Sequence, residues 1–159
     1  MKKINVLFLC TGNSARSIFG EYILRKKDPF RFETYSAGAA PKDAPHPLTL
    51  RVLRDRFQID PSGARSKSWD EFKDTVFDFV ITVCDNARES CPVWPGQPIV
   101  AHWGSPDPAE AAGENAEKVF FDVASQIARR IDLFLNLPVE KLDRLRLDIE
   151  KATKEIGER

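Results

Sequence analysis

Several things are scarce in this chain. Its 159 residues include only three cysteines, two histidines and one methionine. An odd cysteine count argues against a structural disulfide framework and suits a reducing, cytoplasmic setting. No His or Cys residues are paired at ligand spacing, so neither zinc nor any other metal or cofactor is expected. Charge of one sign is missing too: Lys+Arg and Asp+Glu are both 24. A nucleic acid or an acidic membrane is therefore not an expected partner. No apolar run approaches the roughly 18 residues of a membrane span. Met1-Lys2-Lys3 could open a secretory signal, but the apolar stretch behind it is short and interrupted by Asn5. It runs into Gly12-Asn13-Ser14 without a cleavage pattern, so no signal is expected. Repeats and low-complexity segments are absent.

What is present suits a packed globule: 42% of the residues are hydrophobic, and the length fits one domain. Residues 4–9 read as a buried strand, 32–36, 78–83 and 98–102 as further strands. Helices are expected at 15–27, with Ile18, Phe19, Tyr22 and Ile23 inward, and at 48–57, with Leu50, Leu53 and Phe57 inward. A short helix capped by Ser68 is expected over 68–74, and a long one over 115–135. The tail, 138–157, carries Leu142, Leu145, Ile149, Ala152 and Ile156 as a narrow stripe. That stripe packs either on its own domain, the favoured reading, or on a second copy.

Strands alternating with helices predict an α/β fold: a three-layer arrangement with a central four-stranded parallel sheet flanked by helices. The expected organisation is a catalytic domain at 1–136, with 137–159 as a helical extension of the same domain. Ligands of such sheets bind beyond the carboxyl ends of the strands. Cys10 ends the first strand, Cys84 ends the third, and Asp107 lies in the loop after the fourth. These groups converge on one sheet edge.

Cys10-Thr11-Gly12-Asn13-Ser14-Ala15-Arg16-Ser17 has the form of an anion cradle. Five mostly small residues between strand and helix can curl around a tetrahedral oxyanion, with amides and the helix N-terminus facing it. Gly12 and Asn13 tolerate the positive φ that such a curl needs. Arg16 can grip two oxygens with its fork, and Ser17 can donate to the Cys10 sulfur, favouring a thiolate. The alternative is a buried cysteine in an ordinary strand–helix turn, and buried thiols could explain Cys84 and Cys91 as well. Asp107 before Pro108 is by itself ordinary turn chemistry.

The segment from Cys10 to Ser17 resembles the phosphate-binding loop of low-molecular-weight tyrosine phosphatases. It is closer still to that of their relatives, the thioredoxin-coupled arsenate reductases. The resemblance continues through Ser36-Ala37-Gly38, the Cys84 to Cys91-Pro92 pair, His102-Trp103-Gly104 and Asp107-Pro108, covering residues 4–135. It implies a nucleophilic Cys10, an oxyanion site at residues 11–17 and a general acid at Asp107. It also implies a relay in which Cys84 attacks the Cys10 adduct and Cys91 then attacks Cys84. Arsenate would be the substrate, with phosphate or sulfate competing, and thioredoxin or a glutaredoxin/glutathione-type system the reductant.

Geometry adds a constraint to that relay. A helix from Asn86 to Cys91, capped by Asp85 and ended by Pro92, would hold the two cysteines roughly 10 Å apart along its axis. Disulfide Cα atoms must lie within about 7 Å, so residues 85–90 are expected to unwind on oxidation.

The chain also departs from the pattern. Ala15 stands where many relatives carry a further cysteine. Some relatives bind potassium through Asn, Glu, Ser and Asp. Asn13, Glu21 and Ser36 match the first three, and Lys67 falls at the fourth, so an ammonium is expected to replace the ion. Ala109-Glu110-Ala111 follows the Asp-Pro, where phosphatases place aromatics that stack on phosphotyrosine. His46 and His102 read as loop or packing residues, His102 with a chance to tune Asp107; Arg88 reads as a solvated charge. Arsenate reduction leads. A tyrosine phosphatase and a non-catalytic oxyanion or redox sensor are the alternatives.

Overall fold

The computed structural model describes residues 2–111 and 113–159. Strand β1 (Ile4–Cys10) is buried from Val6 to Cys10, as a strand covered on both faces must be. It lies between β2 (Phe32–Gly38) and β3 (Phe79–Thr82), and β4 (Ile99–His102) forms the far edge. All pairings are parallel, in the order β2-β1-β3-β4, which is the four-stranded parallel sheet expected. The register sets Cys10 opposite Gly38 and Leu9 opposite Thr82. Strand order reverses between β1 and β3, so the crevice beyond Cys10 and Thr82 is the topological switch point where such sheets bind ligands.

Helix α1 (Arg16–Lys27) packs on β1 and β2, and α2 (Pro47–Phe57) and α4 (Ala116–Leu135) pack against it and against each other. Helix α1 is buried on more of its surface than an apolar stripe suggests: Ser17, Gly20 and Glu21 are enclosed along with Ile18, Phe19, Ile23 and Leu24. It is wedged between the sheet and the helices α2 and α4. Its approach to β1 depends on Gly20, where a β-carbon would lie 2.5 Å from the Phe8 ring. In α2 the buried side chains are Thr49, Val52 and Leu53, whereas Leu50 and Phe57 are only half-buried. The Thr49 hydroxyl donates to the Ser14 carbonyl at 2.8 Å, which turns that face toward the loop after β1. The segment expected as a helix at 68–74 is a single 3₁₀ turn, Trp69–Phe72, with the Ser68 hydroxyl accepting from the Asp70 amide.

The core is aromatic beneath α4. Phe134 meets Phe79 at 4.9 Å, Phe32 at 5.5 Å and Trp103 at 5.9 Å between ring centres. Helix α5 (Leu142–Ile156) kinks at Leu145 and covers β4, with Ile149 and Ile156 in the core. Its apolar stripe is thus occupied by its own fold. The Trp103 indole donates to the Thr153 carbonyl at 3.0 Å, fastening the helix to the segment after β4. Among the described residues no helix is long and apolar enough to cross a membrane.

Candidate active site

Between Cys10 and Arg16 the chain curls around a cavity of about 160 Å³ lined by Cys10, Thr11, Gly12, Ser14, Ala15, Arg16, Ala40, Lys42 and Asp107. Its carbonyls are tied outward. Thr11 O accepts from the Ala40 amide, Gly12 O from that of Lys42, and Ser14 O from that of His46, at 2.9–3.0 Å. Asn13 O accepts from the Ser66 hydroxyl at 2.5 Å. A planar peptide whose carbonyl faces out turns the following N–H the other way, toward the cavity. Asn13 alone in the curl is left-handed, at φ 47. Gly12 is not, contrary to expectation: the Lys42 stem lies against it, where a β-carbon would sit 3.3 Å from Lys42 Cγ.

A chain of hydrogen bonds runs to the sulfur. The Asn13 amide nitrogen donates to Ser17 Oγ at 2.7 Å, which leaves the hydroxyl proton free for Cys10 Sγ, 2.9 Å away. The Asn13 backbone N–H reaches the same sulfur at 3.2 Å. Behind Asn13 stands Lys67, 8% exposed. Its ammonium lies 3.3 Å from Asn13 Oδ1, 3.1 Å from Ser36 Oγ and 3.6 Å from Glu21 Oε1. Burial pushes the Lys67 pKa down, against the attraction of Glu21.

Arg16 Nη1 donates to the Ser105 carbonyl at 3.0 Å, and Nη2 lies 3.9 Å from Asp107 Oδ2. The other Asp107 oxygen accepts from the Ala109 amide at 3.0 Å. The ordinary turn role and a position facing the cavity therefore hold together: one oxygen fixes the side chain, the other faces the site.

Cys84, buried, sits two residues beyond the end of β3, with its sulfur 3.3 Å from Thr11 Oγ1. Thr11 also accepts from Asn86 Nδ2 at 3.1 Å. The cradle is thus tied to the start of α3 (Asp85–Ser90), a six-residue helix with Cys84 before it and Cys91 after it. Only Ala87 of that helix is buried. Burial raises the Cys91 pKa. Asp85 does not cap the helix as expected. It is the first helical residue, and its carboxylate lies 3.0 Å from His102 Nε2, while His102 Nδ1 contacts Thr82 Oγ1 at 2.8 Å. His102 therefore braces α3 against β3 and β4 and has no contact with Asp107. His46 caps α2 by accepting from the Leu48 amide, and burial, reinforced by Lys42, holds its pKa low. Arg88 is exposed, as a solvated charge should be.

The structure thus brings Cys10, Arg16 and Asp107 to one cavity, sets Cys84 beside it, and leaves Cys91 across a helix. Lys42 and Ser105 also belong to the site and were not singled out from the sequence. Both lie in loops without periodicity, and their partners are distant in the chain. A larger open groove of about 430 Å³, near Arg88, His102 and Lys154, has no cysteine in its wall.

The chain matches the profile of low molecular weight phosphotyrosine protein phosphatases over residues 5–146. It is 36% identical over 136 residues to an arsenate reductase of Oceanobacillus iheyensis, covering 84% of this chain and 96% of that protein. Among solved structures, an arsenate reductase in its oxidized state superposes with a TM-score of 0.69 and 26% identity, over 80% of this chain and 93% of that one. A thioredoxin-dependent arsenate reductase of Corynebacterium glutamicum superposes at 0.61 with 27% identity, over 82% of this chain and 63% of that one.

Proposed function

The chain belongs to the low molecular weight phosphotyrosine protein phosphatase family, among relatives named arsenate reductases, and from this premise we propose that it reduces arsenate to arsenite through Cys10, Cys84 and Cys91. The Cys10 thiolate attacks arsenic, and Asp107 gives the proton with which an oxygen departs as water. Such a proton typically contributes ~10²–10⁴-fold. Arg16 and the amides of residues 11–15 hold the remaining oxygens. Cys84 then attacks the Cys10 sulfur. The sulfur–arsenic bond breaks, its electron pair stays on arsenic, and arsenite leaves. Cys91 attacks Cys84, which frees Cys10 and leaves a Cys84–Cys91 disulfide. A dithiol protein of the thioredoxin type, or a glutaredoxin/glutathione system, restores both thiols.

One observation carries this reading: Cys84 Sγ lies 3.3 Å from the hydroxyl of Thr11, the neighbour of Cys10. Hydrolysis of a phosphate ester would need Cys10, Arg16 and Asp107 but no second sulfur there. Phosphate and sulfate, being tetrahedral oxyanions, compete for the cradle. We assign the reaction to arsenic detoxification in the cytoplasm, and residues 137–159 to the same domain as 1–136.

The test is arsenate-dependent oxidation of NADPH in the presence of thioredoxin and its reductase, with mass mapping of disulfides after one turnover. Loss of turnover in Cys84→Ser, and a mapped Cys84–Cys91 bond in the unmodified protein, are expected. Aryl phosphate hydrolysis that survives Cys84→Ser and Cys91→Ser, without any arsenate-dependent oxidation, would replace this reading with a phosphatase.

A further inference from the structure

Arg130 of α4 is 5% exposed, yet it pairs with no carboxylate among the described residues. A buried guanidinium without a counter-ion is costly unless its donors are otherwise engaged. Its partners are backbone and hydroxyl oxygens: Nη1 donates to Gly104 O at 3.0 Å and lies 3.4 Å from Ser105 Oγ, and Nη2 donates to Gly157 O at 3.2 Å. Nε has no hydrogen-bond partner among the described residues. The Ser105 hydroxyl is fixed further by Gln126 Oε1 at 3.1 Å. The Ser105 carbonyl is the acceptor that holds Arg16 Nη1.

We propose that Arg130 is a positioning residue through which the C-terminal turn at Gly157 sets the oxyanion grip of Arg16. The proposal rests on the reading of residues 10–17 as the anion cradle. The path is short and made of direct hydrogen bonds: Gly157 O to Arg130, Arg130 to Gly104 and Ser105, Ser105 O to Arg16. One arm of the Arg16 guanidinium is used against Ser105, so the orientation of that carbonyl decides where the other arm points. A fork must be aligned to hold two oxygens, and small tilts remove one of the two bonds. The far end of the path lies outside the family match, which stops at residue 146. Gly157 itself is closely seated: a β-carbon there would overlap the His102 carbonyl oxygen and crowd Trp103. The extension is therefore wedged against the segment that leads to Ser105 and Asp107, and Arg130 couples the two.

The experiment measures the affinity of the full-length protein for inorganic phosphate, as protection of Cys10 against alkylation, well below the melting temperature. Arg130→Met is expected to weaken phosphate binding about tenfold. It should also raise KM for arsenate more than it lowers kcat. In an Arg16→Met background the same change should add nothing, because the effect runs through Arg16. Phosphate affinity within twofold of the unmodified protein would overturn the proposal, as would an equal loss in both backgrounds. If Arg130→Met does not fold, Gly157→Ala takes its place, with a phosphate affinity reduced at least threefold expected and an unchanged one overturning. A protein that binds phosphate in this Arg130-dependent way but never reduces arsenate would sink the reductase reading and leave this one standing.

Discussion

Lys67 Nζ lies 3.3 Å from Asn13 Oδ1, at the point where Ser36 and Glu21 also converge. The ammonium thus stands among the three side chains that the sequence resemblance placed at a potassium site, and a hydrogen-bond chain runs from it through Asn13 and Ser17 to the Cys10 sulfur. Activity and melting temperature should be equal in potassium and sodium salts at matched ionic strength; a clear gain in potassium would refute this. Lys67→Met should cost about 2 kcal/mol of stability, because the enclosed Glu21 keeps Arg25 and Ser36 but loses one cation. Thermal or urea denaturation measures it.

Helix α3 separates Cys84 from Cys91, the two cysteines of the proposed relay, and buries one alanine. Little burial opposes its opening, and a Cys84–Cys91 bond cannot span it. Amide protection over residues 85–90 should vanish on oxidation and persist in oxidant-treated Cys91→Ser. Unchanged hydrogen exchange there after oxidation would count against the relay.

Burial raises the Cys91 pKa, so at neutral pH the reactive thiolate is a small fraction of it. That fraction grows about tenfold per pH unit below the pKa. In single-turnover experiments, formation of the Cys84–Cys91 bond should therefore accelerate between pH 7 and 9, while phosphate affinity changes far less. A flat profile for the last step would contradict the assignment of Cys91 as the final attacking group.

Helix α1 rests on β1 through Gly20, with no room for a methyl against Phe8. Gly20→Ala should destabilise the fold by roughly 1–3 kcal/mol through overpacking, despite the better helix propensity of alanine. Urea titration resolves that sign directly.

Lys42 is exposed, and its stem covers Gly12 at the mouth of the cradle. Lys42→Met should weaken phosphate binding severalfold at low salt and much less at high salt, since an exposed cation acts through a screened field. Equal affinity of the two proteins at low salt would exclude the role.

The parts of this architecture that could be read from the chain are local. Cys10 and Arg16 are six residues apart between a strand and a helix, so the cradle follows from the order of elements alone. The parallel sheet follows from alternation, and the switch point from where the strands end. The bond from Arg16 to Ser105 joins residues 89 apart, and that from Asp85 to His102 joins residues 17 apart. Such pairings leave no period in a sequence. Asp85 illustrates the conflict: local rules make it a cap, but a tertiary partner takes its carboxylate. Gly12 misled in the other direction. Its type suggested left-handed backbone, whereas its lack of a side chain serves the Lys42 stem.

Asn13 combines a left-handed backbone with two engaged side-chain atoms: its oxygen receives Lys67, and its nitrogen donates to Ser17. It follows that this position has no conservative replacement. Glycine would adopt the twist but abandon both neighbours. Aspartate would keep the acceptor and set a second anion against the serine that serves the sulfur. The scaffold has made one side chain irreplaceable, although this residue meets Cys10 only through its backbone N–H.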